Sequence, residues 1–390
     1  MDQTAQILRP ARRAAIAPFI AMDVKREATL RAQAGADIIH MEVGEPFAPP
    51  PRRVREAAIA ALGGQPVGYT DALGLSTLRE RIARHYCDAY GVEVDPGRVA
   101  VTTGSSGGFV MAFLALFDPG ARIAIQNPGY PPYRNIFRTL GLEAVDLPVD
   151  SSNGFAVSAA AVEKAHDARQ LDGLLLMSPA NPSGAMQGAE SLREIAELCE
   201  RRGIVFISDE IYHRLTYDRP AQTALAFSDR AVIVNSFSKY YCMTGWRVGW
   251  LVLPPELPRV VERLQQSLAI SAPTLSQIAA QAAFDATEEL EAVKEGYRRN
   301  RDILLDGLPA LGLDQLAPAD GAFYIYADVS RFTDDSTRLC RDLLHRAGVA
   351  ATPGVDFDPL RGHLALRLSY AGAESHMVEA LKRLKDFLRR

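Results

Sequence analysis

Ser236-Phe237-Ser238-Lys239-Tyr240-Tyr241-Cys242-Met243-Thr244-Gly245-Trp246-Arg247 is the stretch on which the reading of this chain turns. It follows a short apolar, β-branched run, Ala231 to Val234, so it begins where a buried strand ends. Open α/β sheets bind their ligands beyond the carboxyl ends of such strands. A primary amine sheltered there can lose its proton and attack a carbonyl, which is how lysines form Schiff bases. Ser236 precedes Lys239 by three residues and Arg247 follows it by eight, so a hydroxyl and a fixed cation stand ready to hold a phosphate beside the amine. Taken alone, Lys239 reads more simply as a surface lysine near a stacked arginine, and the rest of the chain has to decide.

The 390 residues exceed what one core usually supports, which makes two domains the natural expectation. Hydrophobic residues are 48% and charged residues 23%, as in an ordinary soluble protein. A net charge of -4, with basic residues scattered among acids, argues against nucleic acid as a partner. Cys87, Cys199, Cys242 and Cys340 form no CxxC pair, which speaks against a zinc knuckle or disulfide scaffold and fits a reducing compartment. No HExxH or similar pair stands among the seven histidines, so no metal site is expected. The longest apolar run, Phe109 to Phe117, is far short of the roughly 18 to 20 residues that span a bilayer, so no membrane partner is expected. Arg9, Arg12 and Arg13 before the apolar run Ala14 to Met22 imitate a signal peptide, but Pro18 interrupts the run and no clear cleavage site follows. The expectation is a cytoplasmic protein with an N-terminal arm.

Along the chain, short buried strands alternate with helices and end in loops rich in polar residues. Ile38 to Val43 reads as a strand running into Gly44-Glu45-Pro46 and a proline-stiffened connection. Val99 to Thr103, the turn Gly104-Ser105-Ser106-Gly107-Gly108 and the apolar run after it read as strand, glycine-rich turn and buried helix, an arrangement that aims free N–H groups at an anion. The turn lacks the ending of a nucleotide P-loop and the spacing of GxGxxG. Arg122 to Gln126 ends in a loop whose prolines present Tyr130 rigidly, ready to stack on a flat ring. Leu174 to Met177 ends near Asn181, and Ile204 to Ile207 ends in Ser208-Asp209-Glu210-Ile211-Tyr212. This rhythm of strand, helix and strand implies a mostly parallel sheet with right-handed crossovers. From about Pro258 long amphipathic helices take over, one near Glu288 to Leu308, followed by short strands at Ala322 to Tyr326 and Leu364 to Leu368 and a helix at Ser336 to Ala347.

With these loops on the page, the chain resembles the pyridoxal-phosphate-dependent aminotransferases of class I/II. The motifs that carry the resemblance are Gly44-Glu45-Pro46, Gly68-Tyr69-Thr70, Asn181-Pro182-Ser183-Gly184, Ser208-Asp209-Glu210-Ile211-Tyr212 and Ser236-Phe237-Ser238-Lys239 with Gly245-Trp246-Arg247-Val248-Gly249. They span about residues 40 to 370, and their order makes an accidental match very improbable. The resemblance implies the fold type I architecture of the aspartate aminotransferase superfamily: a three-layer α/β large domain around a mostly parallel sheet, and a smaller α/β domain built from both chain ends. The corresponding division is an N-terminal arm and small-domain part at 1–48, a large cofactor-binding domain at 49–285 and a C-terminal small domain at 286–390.

It also implies roles. Lys239 would form the internal aldimine with pyridoxal 5'-phosphate and then shuttle the proton at the substrate Cα. Asp209 would keep the pyridine nitrogen protonated, Tyr212 and Asn181 would bond the phenolic oxygen, and Tyr130 would stack on the ring. Ser105, Ser106, Ser236 and Arg247 would hold the phosphate, with Ser238 a further donor and Tyr69 reaching over from the second subunit of a homodimer. Arg367 would clasp the substrate carboxylate in a bidentate pair, assisted by the Gly44 N–H and Asn181. Two departures from the family's common pattern are Tyr130, where some relatives carry tryptophan or phenylalanine, and Ser105-Ser106 in place of an alanine or glycine pair.

The expected activity is transfer of an α-amino group from an amino acid to a 2-oxo acid such as 2-oxoglutarate. A carbon–sulfur β-lyase on the same scaffold is the alternative, since the carbanion at Cα can also eliminate a leaving group. A cofactor-binding regulator has little support, because no basic segment stands before the domain. Arg12, Arg13 and Arg134 are candidates for a second carboxylate, whereas Ile16 to Phe19 would suit an apolar or aromatic side chain.

Overall fold

The computed structural model describes residues 9–64 and 66–389. Twelve strands are numbered in chain order: β1 Ile39–His40, β2 Val99–Thr102, β3 Arg122–Asn127, β4 Glu143–Pro148, β5 Gly173–Met177, β6 Val205–Asp209, β7 Val232–Ser236, β8 Gly249–Val252, β9 Tyr324–Asp328, β10 Val349–Ala350, β11 Thr352–Pro353 and β12 Ala365–Ser369. β2 to β8 form one sheet in the order β2-β8-β7-β6-β5-β3-β4. All its strands run parallel except β8, which is antiparallel to both neighbours. β2, β5, β7 and β8 are buried at every position, which is why their sequences are dominated by apolar residues up to their polar carboxyl ends. Helices such as Gly104–Leu116 and Ala189–Arg202 bury their apolar residues against this sheet.

The edge strand β4 and the helices Pro132–Leu140 and Ala159–Ala168 are not anticipated by the sequence reading. In β4 only Leu147 is buried, so its pattern lacks the apolar signal that marks the inner strands.

The chain ends join in a second layer. β1 pairs parallel with β10, and β11-β12-β9 form an antiparallel sheet in which Arg367 stands opposite Thr352 on one side and Tyr326 on the other. The strand expected over Ile38 to Val43 is a ladder at Ile39–His40 alone, because Met41 onward turns to lie beside β12, where the Ser369 N–H donates to the Met41 carbonyl at 2.7 Å. That detour carries Gly44 to the carboxyl ends of the large sheet. The apolar run at Ala14 to Met22 is likewise not one element: extended chain through Pro18 feeds a helix at Ile20–Gln33. The long helix Thr287–Gly307 leads into the second layer. Among the described residues no helix is long and apolar enough to cross a membrane.

Candidate active site

Parallel register lays the loops side by side. Met177 at the end of β5 is the ladder partner of Asp209 at the end of β6, and Asp209 pairs with Val234 of β7, two residues before Ser236. These strand ends, the start of helix Gly104–Leu116 and the chain at Val43–Gly44 enclose a cavity of about 190 Å³. Gly44, Ser105, Ser106, Tyr130, Asn181, Asp209, Tyr212, Ser238, Lys239, Arg247 and Arg367 all line it. Two candidates do not. Ser236 is buried behind Ser238, donating to the Val248 carbonyl at 3.1 Å and within 2.9 Å of the Ser238 hydroxyl, so it props the donor that faces the cavity. Tyr69 is 82% exposed on the surface of the chain.

Lys239 Nζ donates to the Gly44 carbonyl at 2.6 Å. Burial pushes its amine down from 10.5 to about 8, the nearby Arg367 and Arg247 charges add to that shift, and Glu45 and Asp209 oppose it. An amine so placed sheds its proton far more readily than a surface lysine. Asp209 is 1% exposed, and burial lifts its carboxyl from 3.8 to about 7 despite hydrogen bonds from the Tyr133 hydroxyl to Oδ2 and from the Ile211 N–H to Oδ1. A buried carboxylate without a hydrogen-bonded cation is costly, so this site invites a protonated partner.

The opposite end of the cavity is built for an anion. Ser105 and Ser106 stand in the first turn of helix Gly104–Leu116, where backbone N–H groups lack helical acceptors. Gly104 has φ +68°, and a Cβ there would collide with the Arg247 guanidinium, so glycine admits the cation beside the helix start. Arg247 itself is left-handed, φ 51° and ψ 52°, an uncommon state for a non-glycine residue. Its Nη1 donates to the Thr244 carbonyl at 3.1 Å and to Ser238 Oγ at 3.5 Å, which aims the planar fork at the cavity.

Arg367 is 2% exposed and lies between the rings of Tyr324 and Phe357, 4.4 and 4.6 Å from their centroids. Its Nη1 donates to Asn181 Oδ1 at 2.9 Å and its Nη2 to the Glu42 carbonyl and, at 3.4 Å, to Thr352 Oγ1, while Nε is buried with no partner. A buried guanidinium with no carboxylate beside it is charge waiting for an anion.

Several residues join the site without a sequence signal that singled them out. Tyr133 holds Asp209 from behind. Tyr324 stands 2.6 Å, hydroxyl to hydroxyl, from Tyr212, and its hydroxyl occupies the space a Cβ on Gly44 would need. Ala21, Met22 and Val43 form an apolar wall with Phe19, which belongs to the Ile16 to Phe19 stretch already singled out and meets Tyr130 edge-on at 6.0 Å; Ile16 is exposed and does not line the cavity. Of the side-chain cation candidates, Arg134 is engaged by Asn127 at 3.0 Å and by Asp146, and neither it nor Arg12 nor Arg13 lines the cavity.

Comparison with known proteins meets this geometry. The model of the family of class I and II aminotransferases matches residues 36–384. The valine–pyruvate aminotransferase of Mycobacterium tuberculosis is 47% identical over 97% of this chain and 98% of its own length. The chain belongs to the class I and II aminotransferases. A crystal structure of an aminotransferase from Mycobacterium tuberculosis superposes with a TM-score of 0.96 at 46% identity, covering 98% of this chain and 99% of that one. The aspartate aminotransferase of Thermus thermophilus with maleate gives 0.92 at 32% identity, covering 98% of this chain and all of the other, which places the aminotransferase in that superfamily and its fold type I. The aminotransferase therefore moves amino groups between amino acids and 2-oxo acids with pyridoxal phosphate, and nothing in these relatives points to the lyase alternative. Its residues fit that cofactor: a buried carboxyl in need of a cationic partner, an amine with a depressed pKa, and a glycine-admitted arginine at a helix start.

Proposed function

We propose that the aminotransferase acts on amino acids with apolar side chains and uses a small monocarboxylic 2-oxo acid such as pyruvate as acceptor. The observation that carries this is the cavity wall. Its cations among the described residues are Lys239, Arg247 and Arg367, each with a task of its own, while the remaining wall by the N-terminal arm is Phe19, Ala21, Met22 and Val43. A second substrate carboxylate would be buried there without a partner. The name of the valine–pyruvate relative agrees with this reading.

In this reading Lys239 would anchor the cofactor, Asp209 would hold its ring nitrogen, Tyr212 and Asn181 would hold its phenolic oxygen, and Tyr130 would pack on its ring. Ser105, Ser106, Ser238 and Arg247 hold the phosphate, with Ser236 supporting Ser238. Bound there, pyridoxal phosphate supplies the electron sink for negative charge at the substrate Cα. Arg367 pairs with the substrate carboxylate through its fork, and the Gly44 N–H joins it, which fixes the Cα hydrogen toward Lys239. Lys239 Nζ, whose charged form burial disfavours, would accept that proton in its neutral form. Phe19 and Tyr130 meet edge-on in the cavity lining.

The reading extends to assembly. Tyr69 is exposed, as are Ile59, Leu62 and Val67 close to it in the chain, which suits a homodimer in which Tyr69 reaches the partner's phosphate site. The four cysteines are free, as a cytoplasmic setting would keep them. The domain division at residues 49 and 286 suits the pairing of β1 with β10 and the start of helix Thr287–Gly307.

The test is a set of single-turnover half-reactions of the purified holoenzyme with L-valine, L-leucine, L-phenylalanine and L-aspartate, followed by bound-cofactor absorbance and reversed with pyruvate. Reaction with the apolar amino acids and not with aspartate is expected. Preference for aspartate refutes the substrate class, and transamination by Lys239→Ala at near wild-type rate refutes the site.

A further inference from the structure

The apolar wall is held in place by a residue outside the cavity. Helix Ile20–Gln33 begins at Phe19 with no side-chain cap from its own sequence. Its first two N–H groups, of Ile20 and Ala21, instead donate to Asp356 Oδ1 and Oδ2, each at 3.0 Å. A carboxylate receiving two N–H groups at a helix start is favoured both by the hydrogen bonds and by the helix dipole. Asp356 ends the turn Gly354–Asp356, directly after β11, and β11 pairs Thr352 with Arg367. Phe357, the next residue, stacks on the Arg367 guanidinium. The segment 352–357 thus touches the carboxylate clamp on one side and the start of the wall on the other. Before the helix, Asn135 Nδ2 donates to the Ala17 carbonyl at 3.1 Å, and within it Lys25 Nζ donates to Glu45 Oε2 at 2.8 Å, both exposed contacts.

We propose that Asp356 is a positioning residue for side-chain specificity: by capping helix Ile20–Gln33 from the strand that carries the Arg367 partner Thr352, it fixes Phe19, Ala21 and Met22 at a set distance from the substrate carboxylate. This inference rests on the apolar-substrate reading and deepens it. Amino acids whose side chains reach the wall feel the loss of Asp356, and alanine, whose methyl group is too short to depend on it, does not.

The experiment uses the holoenzyme and variants Asp356→Ala, Asp356→Asn and Phe19→Ala, with half-reactions of L-valine, L-leucine and L-alanine read by bound-cofactor absorbance. Asp356→Ala is expected to raise the half-saturating concentration of valine and leucine roughly five- to tenfold, the factor that corresponds to a cap's contribution of about 1 to 1.4 kcal/mol when all of it is passed on to the subsite. That of alanine is expected to stay within about twofold. Asp356→Asn, which keeps one oxygen acceptor, falls between wild type and Asp356→Ala, and Phe19→Ala shows the same selectivity for the longer side chains. In the two Asp356 variants pyridoxal phosphate affinity and the absorbance maximum of the bound cofactor stay those of wild type. An equal loss for valine and alanine, or none for valine, overturns the assignment. If Phe19→Ala changes the selectivity and Asp356→Ala does not, Asp356 is refuted while the apolar subsite stands. A wild-type enzyme that prefers aspartate overturns both, and is told apart because no variant is needed to see it.

Discussion

Replacing Tyr133 by phenylalanine tests the electrostatics of the site at one atom. The Tyr133 hydroxyl donates to Asp209 Oδ2, one of two hydrogen bonds that hold the Asp209 charge; the other comes from the Ile211 N–H at 3.0 Å. A hydrogen bond to a charged group contributes about 1.5–3 kcal/mol, and each pKa unit corresponds to about 1.4 kcal/mol, so the carboxyl moves up by roughly 1–2 units. Starting from about 7 in the cofactor-free protein, that carries it to roughly 8–9. At pH 7.5 the ionised fraction then falls from about three quarters to between about a quarter and a few per cent. If the ring nitrogen pairs with the ionised form, apparent affinity for pyridoxal phosphate drops about 3- to 25-fold at that pH. The variant recovers as pH rises above 9. The assay is cofactor affinity of wild type and Tyr133→Phe across pH 6–9.5, read as a ratio so that titration of Lys239 cancels. A ratio constant over that range means that the lost contact is mere packing and refutes the assignment; a ratio near one does so as well.

Two further outcomes follow from the same geometry. Arg367→Lys replaces a planar fork held between two rings by a point charge, and KM for the amino acid should rise roughly 30- to 150-fold while pyridoxal phosphate affinity holds; steady-state kinetics and a cofactor titration separate the two. Stability of the cofactor-free protein should fall as pH rises from about 6.5 to 8. Buried Asp209 and Glu210 keep protons to about 7 and about 8 in the native state, whereas the unfolded chain has already released them, so deprotonation favours unfolding in this window. His85 and His213, pushed down to about 3 by burial, act in the opposite sense, with stability rising from pH 3 until the unfolded imidazoles have shed their protons above pH 6.5, and Lys239, depressed to about 8, begins to act in that sense near pH 8, so both soften the fall without reversing it. Thermal melts should show Tm dropping by a few degrees over pH 6.5–8, with Glu210→Gln flattening the drop; a flat or rising profile in the wild type overturns this account.

Much of the molecule is legible in the sequence because buried parallel strands must be apolar and their ends must be polar. Each of β2, β3, β5, β6 and β7 is visible as such a run, and the loops after them carry Ser105, Tyr130, Asn181, Asp209 and Lys239. Local order is enough to place these residues on one sheet edge, since right-handed crossovers leave little choice. β4 hides because an edge strand need not be apolar on both faces. The second layer hides because its pairings join distant segments: no local pattern says that His40 lies beside Ala350 or Thr352 beside Arg367.

The sequence by itself determined the fold class, through strand periodicity, and its resemblance to a known family, carried by motifs a few residues long, pointed to the lysine and the carboxylate. Only the tertiary structure decided that Ser236 supports Ser238 instead of facing the cavity, that Tyr133 tunes Asp209, and that Arg134 is already engaged by Asp146. The same holds for the wall from Phe19 to Met22 and for Asp356, more than 330 residues away, which meets the start of its helix. These are contacts between side chains far apart in the chain, and their distances and desolvation, which set the pKa of Asp209 and Lys239, exist only once the two layers have packed.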